Sequence, residues 1–151
     1  RHAVALDERR AFFRQNLFAR ADGQDLEQVW FAGVHADVGG GYPERDGGLW
    51  RPPFEWMLDA ARDAGLLVDD DRRRRVLGRT PLHGPDWAGT MHESLRGAWR
   101  LAEWFPKMRY DAARKARRPH LGRARHRTIP EGAAIHPSAL RRIRDGAYRP
   151  S

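Results

Sequence analysis

Apolar positions along the chain follow two different periods. From Gln28 to Val34 the residues read Gln-Val-Trp-Phe-Ala-Gly-Val, a β-branched and aromatic run bounded by a polar residue. Such a run predicts a strand buried on both faces, as parallel strands are. Helical spacing governs residues 53–64, where Phe54, Met57, Leu58, Ala61 and Ala64 share one face, Pro53 suits the first turn and Gly65 the stop. A second helix is predicted from Thr90, which has capping-box spacing to Glu93, with Leu95, Ala98, Trp99 and Ala102 as its buried stripe and Pro106 as its end. A last short helix starts at Pro137 and turns Leu140 and Ile143 inward.

The remaining segments are read from turn and charge signals. Residues 1–17 form a short extended or helical piece, and residues 21–27 a polar linker. Residues 69–75 are a charged loop or helix end, residues 78–89 an irregular Pro- and Gly-rich stretch, and residues 107–127 a basic, weakly periodic, exposed segment. There is no internal repeat. One strong strand with several helices is too little for a complete α/β sheet. The expectation is therefore an α/β chain of few strands that is incomplete alone, the C-terminal part of a single larger domain.

Composition narrows the function classes. The 151 residues suffice for one domain, and 40% hydrophobic content is compatible with a core. No apolar run is long enough to span a bilayer, and no signal-peptide pattern opens the chain. With no cysteine, disulfides and thiolate metal sites are excluded. The net charge of +8 raises the question of phosphate binding, to nucleic acid or lipid headgroups. Only Lys107 and Lys115 are lysines, a bias that fits GC-rich coding better than a selected surface. The run Arg72 to Arg75 also follows Asp69, Asp70 and Asp71, which offset its field. No aromatic-interleaved nucleic-acid motif is present, so no nucleic-acid partner is expected.

The predicted strand delivers His35 into a glycine-rich loop, Gly39 to Gly41. Open α/β folds keep their chemistry at the carboxyl ends of strands, and imidazole transfers protons near neutral pH. The plain alternative is a structural histidine beside a tight turn. A hydrolytic triad needs a nucleophile, a base and an acid that orients the base. In the order Ser, acid, His of α/β-hydrolases, Asp7 and His35 stand in sequence as the last two members. Ser94, Ser138 and Ser151 are the only serines, and none lies in a Gly-x-Ser-x-Gly elbow.

Three pieces together carry a family resemblance: His2-Ala3-Val4-Ala5-Leu6-Asp7-Glu8-Arg9-Arg10, Val29-Trp30-Phe31-Ala32-Gly33-Val34-His35-Ala36-Asp37-Val38-Gly39-Gly40-Gly41-Tyr42, and Ile135-His136-Pro137-Ser138. They resemble the α/β-hydrolase family catalogued as domain of unknown function 2235, which includes the phospholipase effectors of bacterial type VI secretion. The likeness is strong over residues 1–42 and loose over residues 135–150. Between them only the helical pattern and Met91-His92-Glu93-Ser94 correspond. The resemblance implies the C-terminal portion of an α/β-hydrolase fold and a Ser-Asp-His triad acting on lipid esters. His35 matches the base, and Asp7 the acid, unless an acid upstream of Arg1 fills that role. The nucleophile, its elbow and the oxyanion amides belong to an N-terminal half absent from these residues, so the chain alone should be inactive. No cofactor is implied. A lipid ester is the implied substrate, a secretion-system component or an immunity protein the implied partner, and the bacterial cytoplasm or a secreted destination the implied location.

Neighbouring residues have rival readings. Asp37 could orient the imidazole or bind a metal, but an Asp in a Gly-rich turn more commonly bonds its own backbone. Gly39, Gly40 and Gly41 would allow close backbone approach to a substrate; no Lys-Ser or Lys-Thr follows, so they are no P-loop. His2, His92 and His136 read as structural, and His83, His120 and His126 lack metal-ligand spacing, so no metal site is expected. Trp30, Phe31, Trp56 and Trp99 read as core. The rival functions are a non-catalytic remnant or interaction module on the same scaffold, and, less favoured, a basic nucleic-acid-binding domain.

Overall fold

The computed structural model describes residues 1–78, 86–111, 113–146 and 148–150. Its centre is a three-stranded, all-parallel sheet of order β1-β2-β5: β1 (His2–Ala5), β2 (Gln28–Phe31) and β5 (Ala134–Ile135). Around it lie α1 (His35–Val38), α2 (Arg51–Asp63), α3 (Asp70–Leu77), α4 (Ala98–Ala102) and α5 (Pro137–Asp145). A separate antiparallel hairpin is formed by β3 (Lys107–Asp111) and β4 (Ala116–His120). The described residues are mixed α/β, with few strands and five α-helices. No helix among the described residues is long and apolar enough to cross a membrane.

Alternation along the strands builds two apolar layers. Val4 pairs in register with Trp30, and this face collects Leu6, Ala32, Ala139 of α5 and Tyr148 into one buried cluster. On the opposite face, Phe31 stacks on His136 with ring centroids 4.6 Å apart and leans on Trp56 of α2 at 5.8 Å. Both faces of β2 are thus covered, as a parallel strand requires. β2 is shorter than the run that predicts it. It ends at Phe31, because Gly33 turns the chain at φ +108° before α1 begins.

Four elements differ from the sequence expectation. His35 opens a single helical turn, α1, where a glycine loop was expected. Residues 70–77 form α3, started by the Asp69 carboxylate accepting from Arg72 N, an N-cap that the loop-or-helix-end reading left open. The helix expected from Thr90 shrinks to α4, since the preceding residues bond elsewhere. His92 N and Nδ1 are held by Asp37, Ser94 by Glu8, and Glu93 accepts from Leu95 N instead of closing a capping box. Residues 107–111 and 116–120 pair as a hairpin where no strands were expected. The expectation for residues 79–85 of the irregular stretch lies outside the described residues.

Helix orientation differs as well. α2 buries Arg51 and Pro53, while Phe54 and Met57, expected to face the core, are exposed. α5 turns Ala139 to the sheet at 0% exposure and leaves Leu140 and Ile143 outside, because only a small side chain fits that close against Trp30. Its start is as expected: Pro137 at the first turn, with His136 as N-cap accepting from Ser138 N.

Trp30 is the largest fully buried side chain among the described residues. Trp30→Ala should lower stability by about 3–5 kcal/mol, the usual cost of emptying an aromatic core position. Urea unfolding followed by circular dichroism measures it. A loss below about 1 kcal/mol would contradict the packing described.

Candidate active site

Parallel pairing brings the carboxyl ends of β1 and β2 to the same edge of the sheet. Glu8 follows β1 there and His35 follows β2. The Glu8 side chain is fully buried, and its Oε2 lies 2.5 Å from His35 Nδ1. Arg10 closes the group: Nε donates to Glu8 Oε1 at 3.1 Å and Nη2 to Oε2 at 3.2 Å, while Nη2 also stands 3.0 Å from His35 Nδ1. The Arg10 amide and the Ser94 hydroxyl each donate to Glu8 Oε1 at 2.9 Å.

The shorter contact, to Glu8, sets the tautomer over the Arg10 donor beside the same nitrogen. An ionised carboxylate can only accept, so at 2.5 Å the proton sits on Nδ1 and points at Glu8. Nε2 is then the nitrogen left for chemistry. Phe13 stacks on the imidazole at 3.9 Å and 16°, fixing the ring plane, while the His35 side chain keeps 36% of its exposure. Burial alone would raise the Glu8 carboxyl. The donors from Arg10, His35 and Ser94 outweigh that and hold it at about 2, against 4.5 for the free side chain.

Asp7, the residue expected to orient the base, is engaged by both side chain and backbone at the turn after β2. Its Oδ2 accepts from Gly33 N and from the Tyr148 hydroxyl, both at 2.7 Å, and its amide donates to Gly33 O. Burial and the Asp7 charge push the Tyr148 hydroxyl well above its ordinary value. The structure brings Glu8 to the imidazole and Asp7 to the turn before it. Asp37 accepts from Val34 N at 3.0 Å and from His92 Nδ1 at 2.6 Å, so it fixes the turn and a second imidazole. Tyr42 stacks on His92 at 3.6 Å. An added Cβ at Gly33 would come within 2.7 Å of Asp37 Cβ, at a positive φ that disfavours side chains.

His35 lines a cleft of about 620 Å³, a size suited to a small ligand or part of a larger one. Its walls include Ala3 and Ala5 of β1, Phe13, Trp50, Phe54 and Met57. The exposed face of α2 is therefore a cleft wall, which explains why its apolar residues are not core. Gly39 and Gly40 line the same cleft; Gly41 lies behind them, donating to Ala36 O at 2.7 Å. Arg127 closes the edge of β1 by donating to Ala5 O and Phe13 O. Among the described residues no group of three or more His, Cys, Asp or Glu could hold a metal ion.

Residues 1–60 match the family model for the T6SS Tle1-like phospholipase effector catalytic domain. No curated protein and no solved structure matches the chain. The matched stretch contains β1, β2, α1 and the first turns of α2, and with them Glu8, Arg10, His35 and the cleft walls up to Met57. The match is to that family's model over these residues alone.

Sequence reasoning missed Glu8, Arg10 and Ser94. A signal existed for the first: consecutive residues leaving a strand point to opposite sides, so Asp7 and Glu8 could not both face the imidazole. Nothing local to residue 94 could have told where its hydroxyl goes.

Because the folded carboxyl of Glu8 ionises below the unfolded one, its contribution is complete above pH 4.5 and is lost as pH falls towards 2. Wild-type stability should therefore drop over that window by about 3 kcal/mol more than that of Glu8→Gln. Urea midpoints at several pH values measure this. Parallel acid curves for the two proteins would contradict an ionised Glu8.

Proposed function

We propose that this chain is the histidine-bearing part of a serine hydrolase of lipid esters, on the α/β-hydrolase scaffold of the domain of unknown function 2235 family. The observation that carries the reading is the contact between His35 Nδ1 and the buried Glu8 carboxylate, beside an apolar cleft and inside the stretch that matches the phospholipase effector family. The nucleophilic serine is supplied by a segment outside these residues. Support for that comes from the serines present: Ser94 is buried and donates to Glu8, and Ser138 Oγ lies 2.8 Å from His136 Nδ1, in the cap of α5. A bacterial secretion system and an immunity protein remain the partners that the effector likeness suggests.

In this mechanism His35 Nε2 takes the proton of the serine hydroxyl as its oxygen attacks the ester carbonyl. The imidazolium formed is held by Glu8. The same proton then passes from Nε2 to the leaving alcohol, and the cycle repeats with water. Glu8 acts as the orienting acid. Asp7, offered by the resemblance for that role, instead holds the Gly33 turn that aims His35. Gly39 and Gly40 offer a side-chain-free wall to the substrate.

In the hydrolase assembled with its nucleophile segment, His35→Ala should lower kcat by about 10³–10⁵, with Glu8→Gln costing at least about 10²-fold. Asp7→Asn should cost less activity than Glu8→Gln while still lowering thermal stability, since its carboxylate ties Gly33 N to Tyr148. Turnover of a phospholipid ester and thermal melts separate the two acids. Near-wild-type activity of His35→Ala would refute the assignment, and an Asp7→Asn loss exceeding that of Glu8→Gln would return the acid to Asp7.

The chain by itself should not react with a fluorophosphonate probe. Mass spectrometry of the treated protein checks this, and labelling at Ser94 or Ser138 would show a nucleophile within these residues.

A further inference from the structure

A second cleft, of about 660 Å³, opens beside that of His35 and shares Phe13, Arg14, Gln15, Asn16 and Arg127 with it. Arg9, Arg10, Arg14, Arg109, Arg125 and Arg127 all line it. Its only carboxylate among the described residues is Glu8, whose charge Arg10 meets. Among the described residues no carboxylate pairs with Arg14, Arg109, Arg125 or Arg127. A concave surface of one sign focuses its field on a small ion of the other. Guanidinium forks match phosphate oxygens in pairs. We infer that this cleft is a phosphate-binding subsite, in which Arg14, Arg109 and Arg125 hold a phosphate group. Where that phosphate belongs to a lipid headgroup, the ester of the same molecule reaches His35 across the shared wall. That placement rests on the lipid-ester reading above; the phosphate site does not.

The cleft is built by bonds from distant parts of the chain. Arg14 Nη2 donates to Met108 O at 2.9 Å, which uses one of the five N–H groups of its guanidinium. Arg127 is committed to Ala5 O and Phe13 O, so it serves as the wall between the two clefts. In the hairpin register Lys107 pairs with His120 and Arg109 with Arg118, which puts these four on one face. Arg109 and His120 line the cleft. Arg109 and Arg118 oppose like charge to like charge, an arrangement that repels until an anion joins it. The turn that carries Arg125 is strained: Arg123 and Ala124 stand at φ +54° and +52°. Strain of this kind persists only where the surroundings enforce it. Here buried Glu103 accepts from Ala124 N at 3.2 Å, and Arg9 Nε donates to Ala124 O at 3.2 Å.

Size favours a single small group over a polymer. A nucleic-acid strand needs a groove that tracks several nucleotides and rings for successive bases. The rings lining this cleft are Tyr110 and Phe13, and Phe13 is already stacked on His35.

The test is nuclear magnetic resonance titration of the chain with inorganic phosphate, acetate, glycerol 3-phosphate and monomeric dihexanoyl phosphatidic acid. Inorganic phosphate should bind saturably and at least about tenfold more tightly than acetate at matched ionic strength. Arg109→Gln with Arg125→Gln should lose at least about tenfold in phosphate affinity with an unchanged melting temperature, since both side chains are exposed. Should that pair melt early, Arg14→Gln serves instead. A lipid source predicts phosphatidic acid at least about tenfold tighter than glycerol 3-phosphate, a gain that Phe54→Ser in the apolar wall removes. Equal affinities for those two assign the subsite to a free phosphate ester. Acetate binding as tightly as phosphate overturns the proposal, as does wild-type affinity in the arginine variants. So does tighter binding of a deoxyoligonucleotide that the same variants lose. His35→Ala should bind phosphate like wild type, so failure of the hydrolase reading and failure of the phosphate site are separate results.

Discussion

The buried charge of Glu8 is the constraint around which the described structure is arranged. A carboxylate with no solvent exposure stays ionised only if donors replace the water it has lost. Here they come from Arg10, His35 and Ser94, so the end of β1, the turn after β2 and the segment before α4 converge on one side chain. The same convergence explains the shape of the surrounding chain. Residues 90–97 cannot remain helical while Ser94 is directed to Glu8 and His92 to Asp37. Arg10, held by two bonds to Glu8, places its guanidinium over Phe13 and Trp99 at 4.2 and 4.9 Å, and so joins the polar centre to the aromatic wall.

Elements governed by local pattern were legible in the sequence. The β2 run, the body of α2 and the proline-started α5 all stand near where periodicity puts them, since burial on both faces or a fixed first turn leaves few alternatives. Elements governed by distant partners were not. Thr90 and Glu93 have the spacing of a capping box, yet tertiary bonds to Asp37 and Glu8 outweigh a cap that contributes about 1 kcal/mol. Which face of α2 is inward depends on an open cleft that periodicity cannot see. The hairpin of β3 and β4 is mostly arginine and exposed, so it lacks the apolar alternation by which strands are recognised.

The candidate site was half legible. His35 could be singled out because a strand ends just before it and glycines follow. Its partner could not, because Asp7 and Glu8 are adjacent carboxylates and the choice between them turns on the direction in which the chain leaves β1. In the structure the two divide the work. Glu8 addresses the imidazole, while Asp7 ties the Gly33 amide to Tyr148, a residue from the far end of the chain. One carboxylate meets the imidazole and the other the turn that carries it.

Gly33 limits how freely this site can vary. The backbone there is held at φ +108° by the turn, and the volume a methyl group would need is filled by Asp37, which in turn holds Val34 and His92. A side chain at position 33 would thus have to displace the carboxylate that fixes the start of α1, and the imidazole would move with it. Most cleft walls can exchange one apolar residue for another of similar volume. Position 33 has no such neighbours in sequence space: the orientation of the histidine depends on a residue that has no side chain to exchange, and drift at that one point has nowhere to go.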